Sequence, residues 1–163
     1  MKITKVVLLS ILLAGLVACS SSATKFSRDA IEGNLGSIKK RVNAGENVNA
    51  FDKWGWTPLH WAVYYRSVPI TKFLLENGAD PNLQTTEAYG SMKSGCTPLM
   101  IAAYYGLPDF AELLLKRGAK TNVTDDTGTT AIDFAKRYRF TEVIELLENS
   151  NNTDAAKTKA KRE

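Results

Sequence analysis

The chain has 163 residues, of which 44% are hydrophobic and 23% charged, and this composition predicts one compact domain with short extensions. Its formal net charge of +4 would suit a nucleic-acid binder, but four of its basic residues crowd the last seven positions and two lie in the first five. Residues 19–150 contain 15 basic and 15 acidic residues, so this neutral body lacks the basic face that phosphate binding requires, which argues against nucleic acid as a partner.

The chain opens with a short basic start and an apolar run. Lys2 and Lys5 precede the run, which extends from residue 6 to residue 18 and contains Ser10 as its polar residue. Its thirteen residues are too few to cross ~30 Å of hydrocarbon as a helix. The pattern instead matches the core of an export signal. We therefore predict that residues 1–18 form a signal peptide.

The apolar run ends in Leu16-Val17-Ala18-Cys19, which resembles the bacterial lipobox. The resemblance implies cleavage before Cys19 and acylation of that residue. Ser20 follows in place of Asp, which in Gram-negative lipoproteins implies the outer membrane. Because several acyl chains anchor stably, we expect a lipid-anchored protein on the periplasmic side of the bacterial outer membrane. The alternative is an ordinary signal peptide that releases a soluble periplasmic protein.

Two signatures recur along the body of the chain with one period. A Gly-x-Thr-Pro-Leu signature stands at residues 55–59 and 95–99, and weakly at 128–132. A Gly-x-x-x-Asn signature stands at residues 45–49, 78–82 and 118–122. Both show offsets of 33 and 40 residues, so one insertion of seven residues between Asn82 and Gly95 explains the irregularity. The T-P-L-H-x-A motif and the 33-residue spacing resemble ankyrin repeats over about residues 24–150.

The resemblance implies an all-α solenoid of four helix-turn-helix repeats with capped ends. Pro58 and Pro98 suit the first position of a helix, and Gly78 and Gly118 suit helix ends. One helix pair cannot bury its apolar face alone, so the repeats must stack. We place the ankyrin-repeat domain at residues 25–150, divided at about 25–50, 51–83, 84–123 and 124–150. Residues 19–24 are then predicted to be a tether and residues 151–163 a disordered basic tail.

The sequence builds no catalytic, cofactor or metal site, and we predict that the protein is not an enzyme. His60 is the one histidine of the chain, and the family uses the histidine of this signature to tie neighbouring hairpins together. With Cys19 acylated, Cys96 is left without the partners that a zinc cluster needs. Cys96 stands at a hairpin position that is partly exposed in the family. It is either a packed small residue, which we favour, or a thiol that pairs with a partner.

Aromatic residues mark the predicted binding face. Ankyrin proteins usually grip targets with the hairpin tips and with two adjacent positions near the end of each first helix, and five of the six tyrosines of this chain fall at the latter. Tyr and Trp favour binding hot spots because they combine large area with few rotors. The predicted partner-binding residues, including Tyr89 in the inserted loop, are Trp54, Trp56, Tyr64, Tyr65, Tyr89, Tyr104, Tyr105 and Tyr138. The alternatives are that one tyrosine of each pair packs between repeats and that the insertion is idle.

Together these patterns predict a non-catalytic protein-interaction module, anchored to the bacterial envelope, that binds a periplasmic or envelope protein through a concave aromatic face. No small-molecule substrate is expected. A second hypothesis is an immunity protein, because small exported ankyrin lipoproteins resemble inhibitors of secreted phospholipase-type toxins. A third is a structural lipoprotein that contacts peptidoglycan through the basic tail. We favour protein binding because the tail shows only dispersed charge.

Overall fold

The computed structural model describes residues 22–160, and the regular secondary structure of this part is helical, with one isolated bridge between Tyr89 and Met92 in the loops that join the helices. The predicted signal peptide, Cys19 and residues 161–163 lie outside the described residues. The helices are α1 (22–31), α2 (Leu35–Asn43), α3 (Pro58–Tyr64), α4 (Val68–Glu76), α5 (Pro98–Tyr104), α6 (Pro108–Lys116), α7 (Ala131–Arg137) and α8 (Thr141–Ala160).

The helices pair within each repeat and stack between repeats. Helix α3 packs against α4, α5 against α6, and α7 against α8. Helices α3, α5 and α7 form one layer, and α2, α4, α6 and α8 form the other. In the first repeat, Phe26 and Ala30 of α1 share the core with Ile38 of α2. The predicted all-α solenoid of stacked helix pairs is confirmed.

The repeat signature explains how each first helix begins and packs. Thr57, Thr97 and Thr130 stand at the N-caps of α3, α5 and α7, where a hydroxyl can accept a free backbone N–H. Proline occupies the first helical position of α3 and α5, where its missing N–H costs nothing. The alanine that ends the signature is fully buried in all three repeats, at Ala62, Ala102 and Ala135. Its small side chain lets the neighbouring helices approach closely.

The asparagine of the second signature links consecutive repeats. The Asn49 side chain donates to the Gly78 carbonyl (3.1 Å) and accepts from the backbone N–H of Asp80 (2.9 Å). Asn82 repeats this pattern one repeat further along, with the Gly118 carbonyl (3.1 Å) and the N–H of Lys120 (2.8 Å). Each of these amides therefore satisfies backbone groups of the next repeat near the glycine that ends its second helix.

His60 provides a second link between repeats. Its Nδ1 accepts from the backbone N–H of Thr57 (3.2 Å), so the proton of a neutral ring lies on Nε2. That Nε2–H donates to the carbonyl of Leu83 (3.0 Å), where repeat two ends, and to that of Cys96 (3.1 Å) in the following repeat. The tying role expected for His60 is confirmed. Burial lowers the pKa of His60 from 6.5 to about 4, because charging the ring would require its desolvation.

The domain extends beyond both predicted boundaries. Helix α1 already includes residues 22–24, where Ala23 is buried and the Ser22 hydroxyl donates to Glu46 (2.7 Å), so the predicted tether is wrong for these residues.

Helix α8 continues to Ala160, so a disordered tail from residue 151 is wrong as far as residue 160. No glycine or proline interrupts this segment, and its alanines and lysines favour helix. No helix within residues 22–160 is long and apolar enough to cross a membrane.

The buried histidine makes the stability of the solenoid depend on pH. Since folding lowers the pKa of His60 from 6.5 to about 4, the unfolded chain takes up a proton there that the folded chain refuses. Above pH 6.5 neutral His60 should contribute fully to the free energy of unfolding. As the pH falls towards 4, we expect the free energy of unfolding to decrease by up to about 3 kcal/mol. Urea unfolding at a series of pH values measures this loss.

The matched variant for this measurement is His60→Gln, which has no titrating group at the position. It should be less stable at neutral pH but vary less with pH between 6.5 and 4. Equal slopes for the variant and the wild type would show that other groups cause the dependence.

Candidate functional site

Ten aromatic side chains of repeats two, three and four form one connected row of exposed and buried rings, which we call the aromatic stripe. Every ring in it lies within 6.1 Å, centroid to centroid, of another ring in it. Its members are Trp54, Trp56, Trp61, Tyr64, Tyr65, Tyr89, Tyr104, Tyr105, Phe134 and Tyr138. The structure thus brings all eight sequence-predicted aromatic residues together and adds Trp61 and Phe134.

Ring contacts carry the stripe across each repeat boundary. Tyr64 meets Tyr105 of the next repeat at 5.4 Å, with the ring planes at 89°. Tyr104 then meets Tyr138 of the fourth repeat at 5.0 Å and 70°. These are edge-to-face contacts, in which the positive edge of one ring rests on the negative face of another. The tyrosines are therefore fixed in place by one another as well as by the helices that carry them.

Trp56 is a correction to the predicted site. We expected it at an exposed hairpin tip, but its side chain is fully buried. Its ring lies 4.6 Å from Trp61 and 5.5 Å from Tyr89, and its Nε1–H donates to the carbonyl of Glu87 (3.3 Å). The inserted loop thus covers it. Trp56 supports the exposed rings of the stripe from below and cannot contact a partner directly.

Trp61 is the residue that sequence reasoning missed. It follows His60 in the signature, at a position where repeat three has Ile101, and it is buried. Its Nε1–H donates to Oδ2 of Asp52 (2.6 Å), while Oδ1 of Asp52 accepts from the backbone N–H groups of Trp54 (2.9 Å) and Trp56 (3.1 Å). One buried carboxylate therefore ties the hairpin of repeat two to helix α3. A tryptophan so close to the histidine was the available signal.

The fourth repeat lacks this tie. Asp125 accepts from the N–H groups of Thr127 (2.9 Å) and Thr129 (2.9 Å), as Asp52 does in repeat two. However, Phe134 occupies the position of Trp61 and has no N–H to donate. The other carboxylate oxygen of Asp125 is consequently buried without a hydrogen-bond partner. The hairpin of repeat four is therefore held to its helix by fewer bonds than that of repeat two.

The insertion forms an ordered hairpin on the stripe. Tyr89 and Met92 exchange backbone hydrogen bonds of 3.1 and 3.0 Å around a turn in which Gly90 has φ 60°. The Met92 side chain is buried, and the Tyr89 ring contacts Trp61 at 4.8 Å. The insertion is thus an ordered part of the aromatic surface, and whether it contributes to binding stays a prediction.

The tyrosines differ in how much they offer to solvent. Tyr65 is 46% exposed and Tyr138 43%, whereas Tyr64, Tyr104 and Tyr105 are half-buried. In repeat two, one tyrosine of the pair packs and the other points outward, as one predicted alternative had it. In repeat three both members are half-buried. Burial raises the pKa of Tyr65 and of Tyr105 further above neutral pH, so both phenols keep the proton with which they can donate a hydrogen bond.

Cys96 is not exposed as the resemblance had implied. The residue is fully buried, and this burial, with a smaller contribution from the nearby Asp125 carboxylate, raises the pKa of its thiol to about 12. A buried thiol of such high pKa supplies no thiolate for disulfide exchange. The geometry agrees with the packed interpretation of Cys96.

The described residues offer little to acid–base or metal chemistry. Within residues 22–160 no group of three or more His, Cys, Asp or Glu side chains could hold a metal ion. Both ring nitrogens of His60 are engaged in hydrogen bonds inside the domain. What the stripe offers instead is an apolar surface with phenol hydroxyls at its face.

Comparison with known proteins agrees with this architecture. A family model described as an ankyrin repeat matches residues 54–86, and one described as ankyrin repeats in many copies matches residues 88–135. The chain contains ankyrin repeats. Such repeats generally serve protein–protein interaction and are generally non-catalytic scaffolds. In this ankyrin solenoid the aromatic stripe follows the hairpin tips and the ends of the first helices.

Several curated proteins share the repeats. The chain is 46% identical over 54 residues to palmitoyltransferase akr1 of Schizosaccharomyces pombe, covering 32% of this chain and 8% of that protein. It is 41% identical over 59 residues to the human DNA-binding protein RFXANK, covering 36% of this chain and 23% of that protein. It is 44% identical over 61 residues to human Rabankyrin-5, covering 37% of this chain and 5% of that protein. The chain thus aligns with less than a quarter of each relative.

The burial difference within the stripe predicts two kinds of variant. Trp56→Ala should lower the free energy of unfolding by about 3–5 kcal/mol, because it leaves a large cavity below the ankyrin hairpins. Tyr65→Ala should cost less than about 1 kcal/mol, because nearly half of that side chain is already in water. Urea unfolding followed by circular dichroism measures both. A larger loss for Tyr65→Ala than for Trp56→Ala would contradict the packing described here.

Proposed function

We propose that this ankyrin solenoid is a non-catalytic binding module, held at the bacterial envelope by an acylated Cys19, that grips a periplasmic or envelope protein with the aromatic stripe. The observation that carries the proposal is the continuity of the stripe over three repeats. Tyr65 and Tyr138, the most exposed of its rings, are joined through Tyr64, Tyr105 and Tyr104. A partner could therefore contact several repeats at once.

The rigidity of the stripe supports tight binding. A flexible aromatic side chain loses rotamer freedom when a partner immobilises it, and this loss weakens association. Here the rings already hold one another in edge-to-face contacts, with Tyr104 and Tyr105 4.9 Å apart. Most of the ordering is thus complete before the partner arrives. Such a surface would serve a tether or an inhibitor equally, so the identity of the partner decides between the two.

The proposed anchor would hold the solenoid near the membrane. Two residues, 20 and 21, separate Cys19 from the start of the helical domain at residue 22. Even fully extended, the three steps from residue 19 to residue 22 would span only about 10 Å. The first repeat would then lie next to the bilayer, which suits a partner that is itself at or near the membrane surface.

Site-specific photo-crosslinking in the living cell tests the binding face. A photoreactive amino acid placed at Tyr65 or Tyr138 should crosslink the same partner protein, because both positions lie on the stripe. The same amino acid at Glu112, which is exposed on α6 in the other helix layer, is the control and should not crosslink it. Tyr65→Ala should then weaken binding of the identified partner by about 2 kcal/mol or more if Tyr65 is a hot spot.

Two outcomes would contradict the binding-face proposal. A partner that crosslinks from Glu112 and not from Tyr65 or Tyr138 would place binding on the other helix layer. Attachment to isolated peptidoglycan that survives Tyr65→Ala but is lost on deletion of residues 151–163 would favour wall binding through the C-terminal segment.

The anchor has its own test. Cys19→Ala should leave an uncleaved precursor or a mislocalised protein, because the acylated thiol would be both the cue for cleavage and the membrane attachment. Membrane fractionation and the mass of the processed chain measure this, with Ser20→Ala as the neighbouring control. Normal processing and membrane recovery of the Cys19 variant would contradict acylation at this residue.

A further inference from the structure

Three exposed cations each lie near the face of a ring of the stripe. The Lys53 ammonium lies 4.4 Å from the centroid of Trp54. The guanidinium carbon of Arg66 lies 5.9 Å from the centroid of Tyr105, and that of Arg137 lies 5.6 Å from the centroid of Phe134. The negative face of an aromatic ring attracts a cation and so orients it. The stripe therefore carries positive charge at one end, near its middle and at the other end.

Within the described residues none of these cations forms a salt bridge with a carboxylate, although the charge of Arg137 is felt by the Asp133 carboxylate one turn earlier on α7. The ion pairs found there engage Arg41, Lys116, Arg117 and Lys136 instead. Of the carboxylates on the hairpins, those of Asp52 and Asp125 are buried. The exposed Glu87 and Asp126 form no ion pair with the three cations, and Asp126 accepts from the hydroxyl of Ser94 (2.5 Å).

The unpaired charges identify the chemistry of the partner. A guanidinium stacked on a ring keeps its edge N–H groups available for a carboxylate, and the ring excludes water from one side of the contact. We infer that the stripe binds an acidic protein segment, in which carboxylates meet Lys53, Arg66 and Arg137 and apolar side chains between them pack on the tyrosines. This inference rests on the proposed function and names the chemistry of its partner.

Single-stranded nucleic acid is the competing anion, and the ring geometry argues against it. Base stacking needs a free aromatic face. Here ring faces are taken by the edges of neighbouring rings, with planes at 79° for Trp54 and Trp61 and 75° for Tyr104 and Tyr105. Residues 19–150 are also balanced in charge, which leaves little long-range attraction for a polyanion.

Selection from a phage-displayed library of random peptides tests the inference with the full-length chain. We expect Asp and Glu to be enriched, together with apolar residues, in the selected peptides. Their affinity should fall by about tenfold or more at low salt in the triple variant Lys53→Glu/Arg66→Glu/Arg137→Glu, and less at high salt. Circular dichroism of the variant checks that it folds.

The matched control is Lys25→Glu/Lys40→Glu/Lys120→Glu. It also reverses three exposed positive charges, but at lysines that lie away from the stripe. It should keep affinity for the selected peptides within about twofold, because its charges lie off the contact. Equal losses in both triple variants would mean that net charge alone, and not the cations at the rings, governs binding, and this would overturn the inference.

Other outcomes separate the inference from the proposed function. Neutral or basic peptides whose binding is lost in Tyr65→Ala but kept in the stripe triple variant would overturn the acidic partner and leave the binding face standing. Selected peptides that bind equally well to Tyr65→Ala and Tyr138→Ala would overturn both. Tighter binding of an oligothymidylate than of every selected acidic peptide would overturn the inference in favour of nucleic acid.

Discussion

The burial that each repeat receives from its neighbours sustains the whole solenoid. A helix pair of this size has an apolar face and no core of its own, so Ala62, Ala102 and Leu114 are excluded from water by stacking. The polar links between repeats follow the same logic. His60 satisfies backbone carbonyls that stacking removes from solvent, and the asparagines at positions 49 and 82 link consecutive repeats at the surface. Apolar contact and hydrogen bonding therefore fix the same register between repeats.

That register is what makes the aromatic stripe possible. Equivalent positions in successive repeats come side by side. Tyr64 at the end of α3 therefore meets Tyr105 near the end of α5, and Tyr104 beside it meets Tyr138 of the fourth repeat. The inserted hairpin adds Tyr89 at the edge of this row. Binding surface and architecture thus share residues, and Trp56 and Trp61 contribute to the surface by supporting it.

The combination of aromatic rings and cations matters for how such a surface would discriminate. Apolar area alone binds without much selectivity, whereas a charge held over a ring rewards a carboxylate at that point and penalises a cation. Lys53, Arg66 and Arg137 come from a hairpin tip, a helix–helix turn and a helix end respectively. Because different local structures supply them, their spacing is fixed by the solenoid and would select the spacing of acidic groups in a partner.

The amino-acid sequence by itself determined the repeats, their helices and the inter-repeat role of His60, because these depend on residue types at fixed offsets: a threonine cap, a proline at the first helical position and an alanine that must be small. It also determined which positions carry the tyrosines. The tertiary structure alone decided that Trp56 is buried, that Trp61 is bound to Asp52 and that residues 22–24 belong to a helix. Burial at a hairpin depends on what another segment places over it. The hairpin at Tyr89 lies in an insertion that no 33-residue period describes, so only the folded chain shows what it covers.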